Sequence, residues 1–227
     1  MSNFSRITDV LRAPSRVAAI HNRVQYLDRR IETVRTELLY ELRYGQKPLK
    51  ETVPCEKTVL SPEKLRLGMR LNLGCGHLPL ADFVNVDMRP LPGVDIIAPV
   101  DDLPVSPGTV SEIFSSHLLE HFPQEELRRK LLPHWFNLLM PTGTIRAVVP
   151  DGEAMVKNAA NGSYPFEQFR EVLFGSQDYT GDFHFNMFTP ESLSKILSEA
   201  GFSKITVPAR GRRNGQCFEF EIQATNS

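Results

Sequence analysis

An apolar run closing on two glycines, Leu71-Asn72-Leu73-Gly74-Cys75-Gly76, is followed eleven residues after its last glycine by Asp87, which ends a second apolar run from Phe83 to Val86. This spacing predicts a strand, a glycine turn and a second strand closing on a carboxylate. In an open α/β sheet, ligands sit outside the carboxyl ends of the strands, and residues without a Cβ let the backbone approach them. A nucleoside fits such a corner, with its ribose diol hydrogen-bonded to Asp87.

The same spacing narrows the choice of nucleoside. A dinucleotide site uses G-x-G-x-x-G at the start of a full helix, whose N-terminal amides hold the pyrophosphate. Here Pro79 occupies the third glycine position, and Leu78 to Asp82 leaves room for little more than one helical turn. S-adenosylmethionine carries a ribose and an adenine but no phosphate, so it loses less from the missing helix. A nicotinamide or nucleotide-sugar enzyme is the competing reading from another class.

The rest of the chain sets the frame for this corner. Its 227 residues suffice for one α/β domain with a full core and an appendage. No apolar stretch approaches the roughly 18 residues of a membrane span, and the N-terminus lacks a signal-peptide core. Cys55, Cys75 and Cys217 are far apart and form no C-x-x-C. A reducing, cytoplasmic compartment is therefore expected. Residues 1–50 carry a net +5 and the remainder −6. The acidic main domain argues against nucleic acid as a partner, whereas the basic N-terminus suits a solvated helix face or peripheral contact with an anionic membrane.

Val17, Ile20, Val24, Leu27, Ile31, Val34 and Leu38 alternate steps of three and four, a heptad pattern. One amphipathic, coiled-coil-like helix is expected over 14–44, its stripe covered either by a second copy in a homodimer or by the chain's own catalytic domain. The expected organisation is this helix in residues 1–46, a linker over 47–66, and an α/β domain over 67–227 with an insertion at 151–185. Strands are expected at Arg70–Leu73, Phe83–Val86, Val94–Ala98, Ser111–Ser115, Thr144–Val149, Lys204–Val207 and Phe218–Gln223, with helices at Gln124–Leu139 and Pro190–Ala200.

Taken together, these segments resemble the class I S-adenosylmethionine-dependent methyltransferases, in particular small bacterial enzymes associated with polysaccharide biosynthesis. The resemblance covers about residues 69–223. It is carried by Leu71 to Gly76, Val84-Asn85-Val86-Asp87, Asp101-Asp102-Leu103-Pro104, Ile113 to His121, and His184-Phe185-Asn186-Met187-Phe188-Thr189 with Ala200-Gly201-Phe202. It implies a Rossmann-like seven-stranded sheet with helices on both faces and an antiparallel last strand. It also implies cofactor contacts from Asn72, Gly74, Cys75, Gly76, Asp87, Met88, Val100, Asp101, Asp102, Leu103, Ser115 and Ser116. Asp87 would take both ribose hydroxyls, Met88 would lie against the adenine, and the adenine amino group would meet Asp101 or Asp102, because Pro99 stands where the family often has an acid.

Methyl transfer from a sulfonium is an in-line displacement, and a hydroxyl acceptor gains from a base. His117, past the fourth strand, and His184, before the late helix, are the candidate bases, and Asp151 would orient one of them or bind substrate. His121 is expected to support its loop. The insertion holds Tyr164, Phe166, Phe169, Phe174, Tyr179 and Phe183, rings suited to packing the subdomain or to a saccharide wall. Tyr179, Asp182 and His184 are the expected acceptor contacts. Asp151, Asp182 and His184 are the groups a divalent ion would use, but without H-x-x-H or clustered carboxylates no metal site is expected. The expected activity is O-methylation of a saccharide or other small hydroxylated acceptor. An N- or protein-directed methyltransferase and a non-catalytic cofactor-binding module are the alternatives.

Overall fold

The computed structural model describes residues 18, 20–32, 34, 35, 38, 39, 56–177 and 181–226. The chain divides into two compact units, Met1–Pro54 and Cys55–Ser227. In the first, the described residues are all helical and exposed, Ile20, Val24, Leu27, Ile31, Val34 and Leu38 among them. The remainder of the helix expected over 14–44 lies outside the described residues.

The second unit is built on one sheet of eight strands: β1 (Thr58–Val59), β2 (Met69–Leu73), β3 (Val84–Asp87), β4 (Ile96–Ile97), β5 (Val110–Ser116), β6 (Leu139–Pro150), β7 (Ser203–Asn214) and β8 (Cys217–Thr225). Their order is β1-β4-β3-β2-β5-β6-β8-β7. Strands β4, β3, β2, β5 and β6 are parallel, and β8 runs antiparallel between β6 and β7. The antiparallel last strand is as the resemblance implies. The count of seven is corrected to eight, because β1, from the stretch read as linker, pairs antiparallel with β4 at the edge. Leu60 and Ser61 amides both donate to the Asp95 carbonyl and hold that edge in register.

Four helices follow β5. Helix α1 comprises Gln124–Glu126, a π turn at Leu127–Leu131 and Leu132–Leu138. Pro133 explains the wide turn: it has no N–H to give the Arg129 carbonyl, and its ring crowds that carbonyl. Helix α2 is Gly152–Ala160, α3 is Phe166–Phe174 and α4 is Pro190–Glu199. Thr189 starts α4 with a reciprocal capping box, its side chain accepting from the Ser192 amide while Ser192 Oγ accepts from the Thr189 amide. The segments that link β2, β3, β4 and β5 form turns and no helix.

Strand alternation sorts the two faces. Leu71, Leu73, Val84, Val86, Ile113, Ile145, Ala147, Val149, Phe220 and Ile222 share one apolar core with Leu131, Trp135 and Leu138 of α1 and Leu193 and Leu197 of α4. The opposite side chains form a charged row across the strands. Glu112 lies 2.6 Å from Arg70 Nη2 and 3.3 Å from Arg146 Nε, and Arg146 and Arg212 both approach Glu221. The Arg70 and Arg146 guanidinium groups each lie 4.0 Å from a ring centroid, over Phe83 and Phe114 respectively.

Candidate functional site

At the carboxyl end of β2 the chain reverses through Gly74 and Gly76, whose φ values of +64° and +51° disfavour any residue with a Cβ. The Gly76 amide donates to Asp87 Oδ2 at 2.9 Å, so the turn and the end of β3 are one unit. Asp87 Oδ1 accepts from the backbone amide and Nε of Arg89, at 2.9 and 3.0 Å. Burial alone would raise the Asp87 pKa; the Arg89 bonds and the Gly76 amide outweigh it and hold the carboxyl below its ordinary value. Asp87 therefore stands ionised where a diol would meet it. Accepting both hydroxyls of a diol requires the Arg89 side chain to swing off Oδ1, because a carboxylate offers about four lone-pair positions.

Other residues expected at this corner have different work. Cys75 gives its amide to the Val86 carbonyl, and burial with the nearby Asp87 charge pushes its thiol up to about 11. Asn72 is buried, and its amide donates to the Leu78 carbonyl and to Asn85 Oδ1. Asn85 in turn bonds both backbone groups of Leu80, and its amide N–H reaches Asp95, which Lys64 pairs at 2.8 Å. Buried side-chain amides thus pin the loop after β2 in the position a helix would otherwise fix. Met88 is exposed beside Asp87.

The loop after β4 is held by α1. Trp135 Nε1 donates to the Val100 carbonyl, and the Leu103 amide donates to His134 Nε2. Burial lowers the His134 pKa and so favours the neutral ring this acceptor role requires. Asp101 pairs with Lys130 and Asp102 with Lys57, each through one carboxylate oxygen. Val100 and Leu103 remain buried loop residues. Ser116 is exposed at the end of β5, while Ser115 is buried with its Oγ lacking a partner.

Past β5, His117 has φ of 51° and its amide donates to the Val148 carbonyl. Its ring lies between two buried carboxylates, Nδ1 at 3.3 Å from Glu120 and Nε2 at 3.0 Å from Glu219. Burial would lower its pKa, but the two carboxylates win and raise it to about 9. Glu219 is also gripped by Arg212 and Asn214, which keep it ionised against the cost of burial. The raised pKa favours the protonated ring at neutral pH, a form with no lone pair to accept a proton. A base at this position would have to lose that proton first.

The next residues complete a second cluster. A 3₁₀ turn over Leu119–His121 carries Glu120 and His121. The Glu120 carbonyl accepts from the Phe185 and Asn186 amides, at 2.8 and 3.2 Å, and Asn186 Nδ2 donates to the Phe122 carbonyl. These bonds carry His184 to His121, ring centroids 4.6 Å apart and edge to face. His184 Nδ1 lies 2.7 Å from the Val172 carbonyl, which only a protonated nitrogen can approach; in the neutral ring the lone pair is therefore on Nε2. Burial favours that neutral ring. Leu118 joins this turn to the first corner, since a Cβ at Gly74 would stand 2.8 Å from its Cδ1.

Asp151 does not join either cluster. One oxygen caps α2 by accepting from Ala154, and the other accepts from the Gly211 amide. Asp182 is buried and accepts from Ser176 Oγ within its own loop. Tyr179 lies outside the described residues. Tyr164 is a packing residue, buried against Phe169 and Phe218 with its hydroxyl on two carbonyls. The exposed apolar side chains beside His184 are Phe174, Phe183, Phe185 and Met187. Sequence reasoning passed over Glu120, Glu219, His134 and Arg89. The H-x-x-E-H spacing of His117, Glu120 and His121 was the one legible signal, three ionisable groups within a single turn of otherwise apolar residues.

No protein-family model and no curated protein sequence matches the chain. Among solved structures, a protein of Methanosarcina mazei described as an S-adenosylmethionine-dependent methyltransferase superposes with a TM-score of 0.50 at 16% identity, over 72% of this chain and 95% of that one. An Archaeoglobus fulgidus protein of the same description gives 0.47 at 16% identity, over 72% and 88%. A Burkholderia thailandensis 1,6-didemethyltoxoflavin N1-methyltransferase, solved with bound S-adenosylhomocysteine, gives 0.49 at 14% identity, over 87% and 89%. The chain shares the fold of the first of these.

Proposed function

We propose that this chain is an S-adenosylmethionine-dependent methyltransferase acting on a small hydroxylated acceptor, a saccharide among the candidates. The observation that carries the reading is the ionised Asp87 hydrogen-bonded to the Gly76 amide at the carboxyl ends of β2 and β3. In an open parallel sheet this is where a ribose binds. When bound, the cofactor supplies a methyl group made electrophilic by its sulfonium. Asp87 takes the ribose hydroxyls once Arg89 has moved, Gly74 and Gly76 admit the methionine portion, and the loop pinned by His134 and Trp135 meets the adenine.

His184 is the residue that meets the acceptor. It is half-buried, its Nε2 lone pair is not spent on Val172, and exposed Phe183 and Phe185 flank it in sequence. An acceptor with an apolar face and a hydroxyl suits that setting. In the first unit, the exposed heptad residues from Ile20 to Leu38 support a homodimer through residues 14–44.

Titration calorimetry tests the donor half: S-adenosylmethionine and S-adenosylhomocysteine are expected to bind and NAD is not. Tight NAD binding without either of the others would overturn the reading. Labelled cofactor with a glycan and metabolite extract then identifies the acceptor by the mass of its product. Light scattering on the full chain and on one lacking residues 1–46 tests the dimer.

A further inference from the structure

Glu120 is the most deeply buried carboxylate of the described residues, with a relative exposure of 0%. Its charged neighbour is His117, yet neither carboxylate oxygen completes a hydrogen bond, and Nδ1 of His121 is likewise buried without a partner. Burying a carboxylate costs several kcal/mol unless it is paired and hydrogen-bonded, so such a group signals an absent partner. Each of Glu120, His121 and His184 offers one ligand atom, and these atoms all lie within 4.8 Å of one another. We propose that Glu120, His121 and His184 form a divalent-cation site for a borderline metal such as Zn²⁺.

The donor set and its supports fit that assignment. Two imidazoles and one carboxylate are the ligands of catalytic zinc sites, which leave a further coordination position open. Metal-ligating histidines give their other ring nitrogen to a carbonyl or carboxylate, and His184 does this through Nδ1 to Val172. His117 and Glu219 form an outer ionic layer, with His117 Nδ1 3.3 Å from Glu120. The Phe185 and Asn186 amides on the Glu120 carbonyl hold the two ligand-bearing segments together before any metal arrives.

For the acceptor this inference rests on the methyl-transfer reading and extends it. The cation takes the Nε2 lone pair of His184 and replaces a histidine base with a Lewis acid. An acceptor hydroxyl in the open position becomes more acidic and gives its proton to solvent water. The oxygen lone pair then forms the bond to the methyl carbon as the carbon–sulfur bond breaks and its electron pair stays on sulfur. Acceptors with two adjacent oxygens, vicinal diols or hydroxy-carbonyls, are the class a cation with open positions holds best.

The test uses the tag-free full-length chain, treated with chelator and titrated with Zn²⁺ alone. One Zn²⁺ per chain is expected, with Co²⁺ in its place giving the visible absorption of a four- or five-coordinate site, and Mg²⁺ binding far more weakly. Glu120→Gln and His184→Ala are each expected to weaken Zn²⁺ binding about a hundredfold or more, whereas His21→Ala in the first unit leaves it unchanged. His184 is only half-buried, so its variant serves where Glu120→Gln fails to fold. Zn²⁺ is also expected to raise the melting midpoint of the unaltered chain and not of His184→Ala. Absence of stoichiometric binding, or equal affinity in a folded ligand variant, would overturn the site. Titration with S-adenosylhomocysteine fails or succeeds independently: a chain that binds Zn²⁺ but not this nucleoside keeps the metal site and loses the transfer reading.

Discussion

The two halves of the sheet are stabilised by different chemistry. On the β1–β4 side, turns and one 3₁₀ turn at Pro62–Lys64 are held by side-chain amides and carboxylates, with Asn72, Asn85, Asp95 and Lys64 in one connected network. On the β5–β8 side, four helices pack, and Trp135, Leu193 and Phe220 fill a dry core. A nucleoside corner needs backbone in a fixed place with nothing above it, and buried hydrogen bonds give that without bulk. A catalytic cluster needs groups from distant parts of the chain brought together, and this demands the larger packed layer.

Breaking the packed half should have the largest effect. Trp135→Ala removes a fully buried ring and its bond to Val100. About 3–5 kcal/mol and roughly 6–20 °C in melting midpoint are expected, measured by circular dichroism. Next is the function of the polar half: Asp87→Asn is expected to weaken S-adenosylhomocysteine binding about ten- to a hundredfold while leaving Zn²⁺ affinity unchanged. Equal loss of both ligands would show that the two corners are not separable.

Smaller effects sharpen the same contrast. Asp95→Asn should cost about 1–3 kcal/mol at neutral pH, because it weakens a buried network. Burial would raise the Asp95 pKa, but the Asn85 amide and Lys64 together hold it below its ordinary value. The stabilisation is therefore full above the unfolded value of about 3.9 and disappears as pH falls through the lower folded value. The gap in melting midpoint between the two proteins should be constant from neutral pH down to about 5 and close below about 4. Thr189→Ala, which removes the capping box on α4, should cost about 1 kcal/mol, or 2–4 °C.

What the sequence made legible follows the same division. The strands, the glycine turn and Asp87 are local signals; β2, β3, β4, β5 and β8 fall within two residues of their expected bounds, whereas β6 starts five residues early and β7 runs seven residues further, through Arg210 to Asn214. β1 escaped because a two-residue strand flanked by prolines has no periodicity to detect. Asn72, placed by motif among cofactor contacts, belongs to the loop network because its partner Asn85 lies thirteen residues away on the neighbouring strand. Asp151 read as catalytic from its position after β6, but its two oxygens are taken by Ala154 and by Gly211, sixty residues on. The raised pKa of His117 owes first to Glu120, three residues on, and then to Glu219, 102 residues distant, which no spacing rule reaches. His184 was found as a residue, but its neighbours Glu120 and His121 were set beside it only by the amides of Phe185 and Asn186.

The charged row across the second sheet face has an evolutionary consequence. A face already satisfied by Arg70, Glu112, Arg146 and Glu221 exposes no core when the chain passing over it changes length. Substitutions that replace the row with apolar side chains would create a demand for covering helices. The composition of this face and the lack of a helix between β2 and β5 are therefore linked.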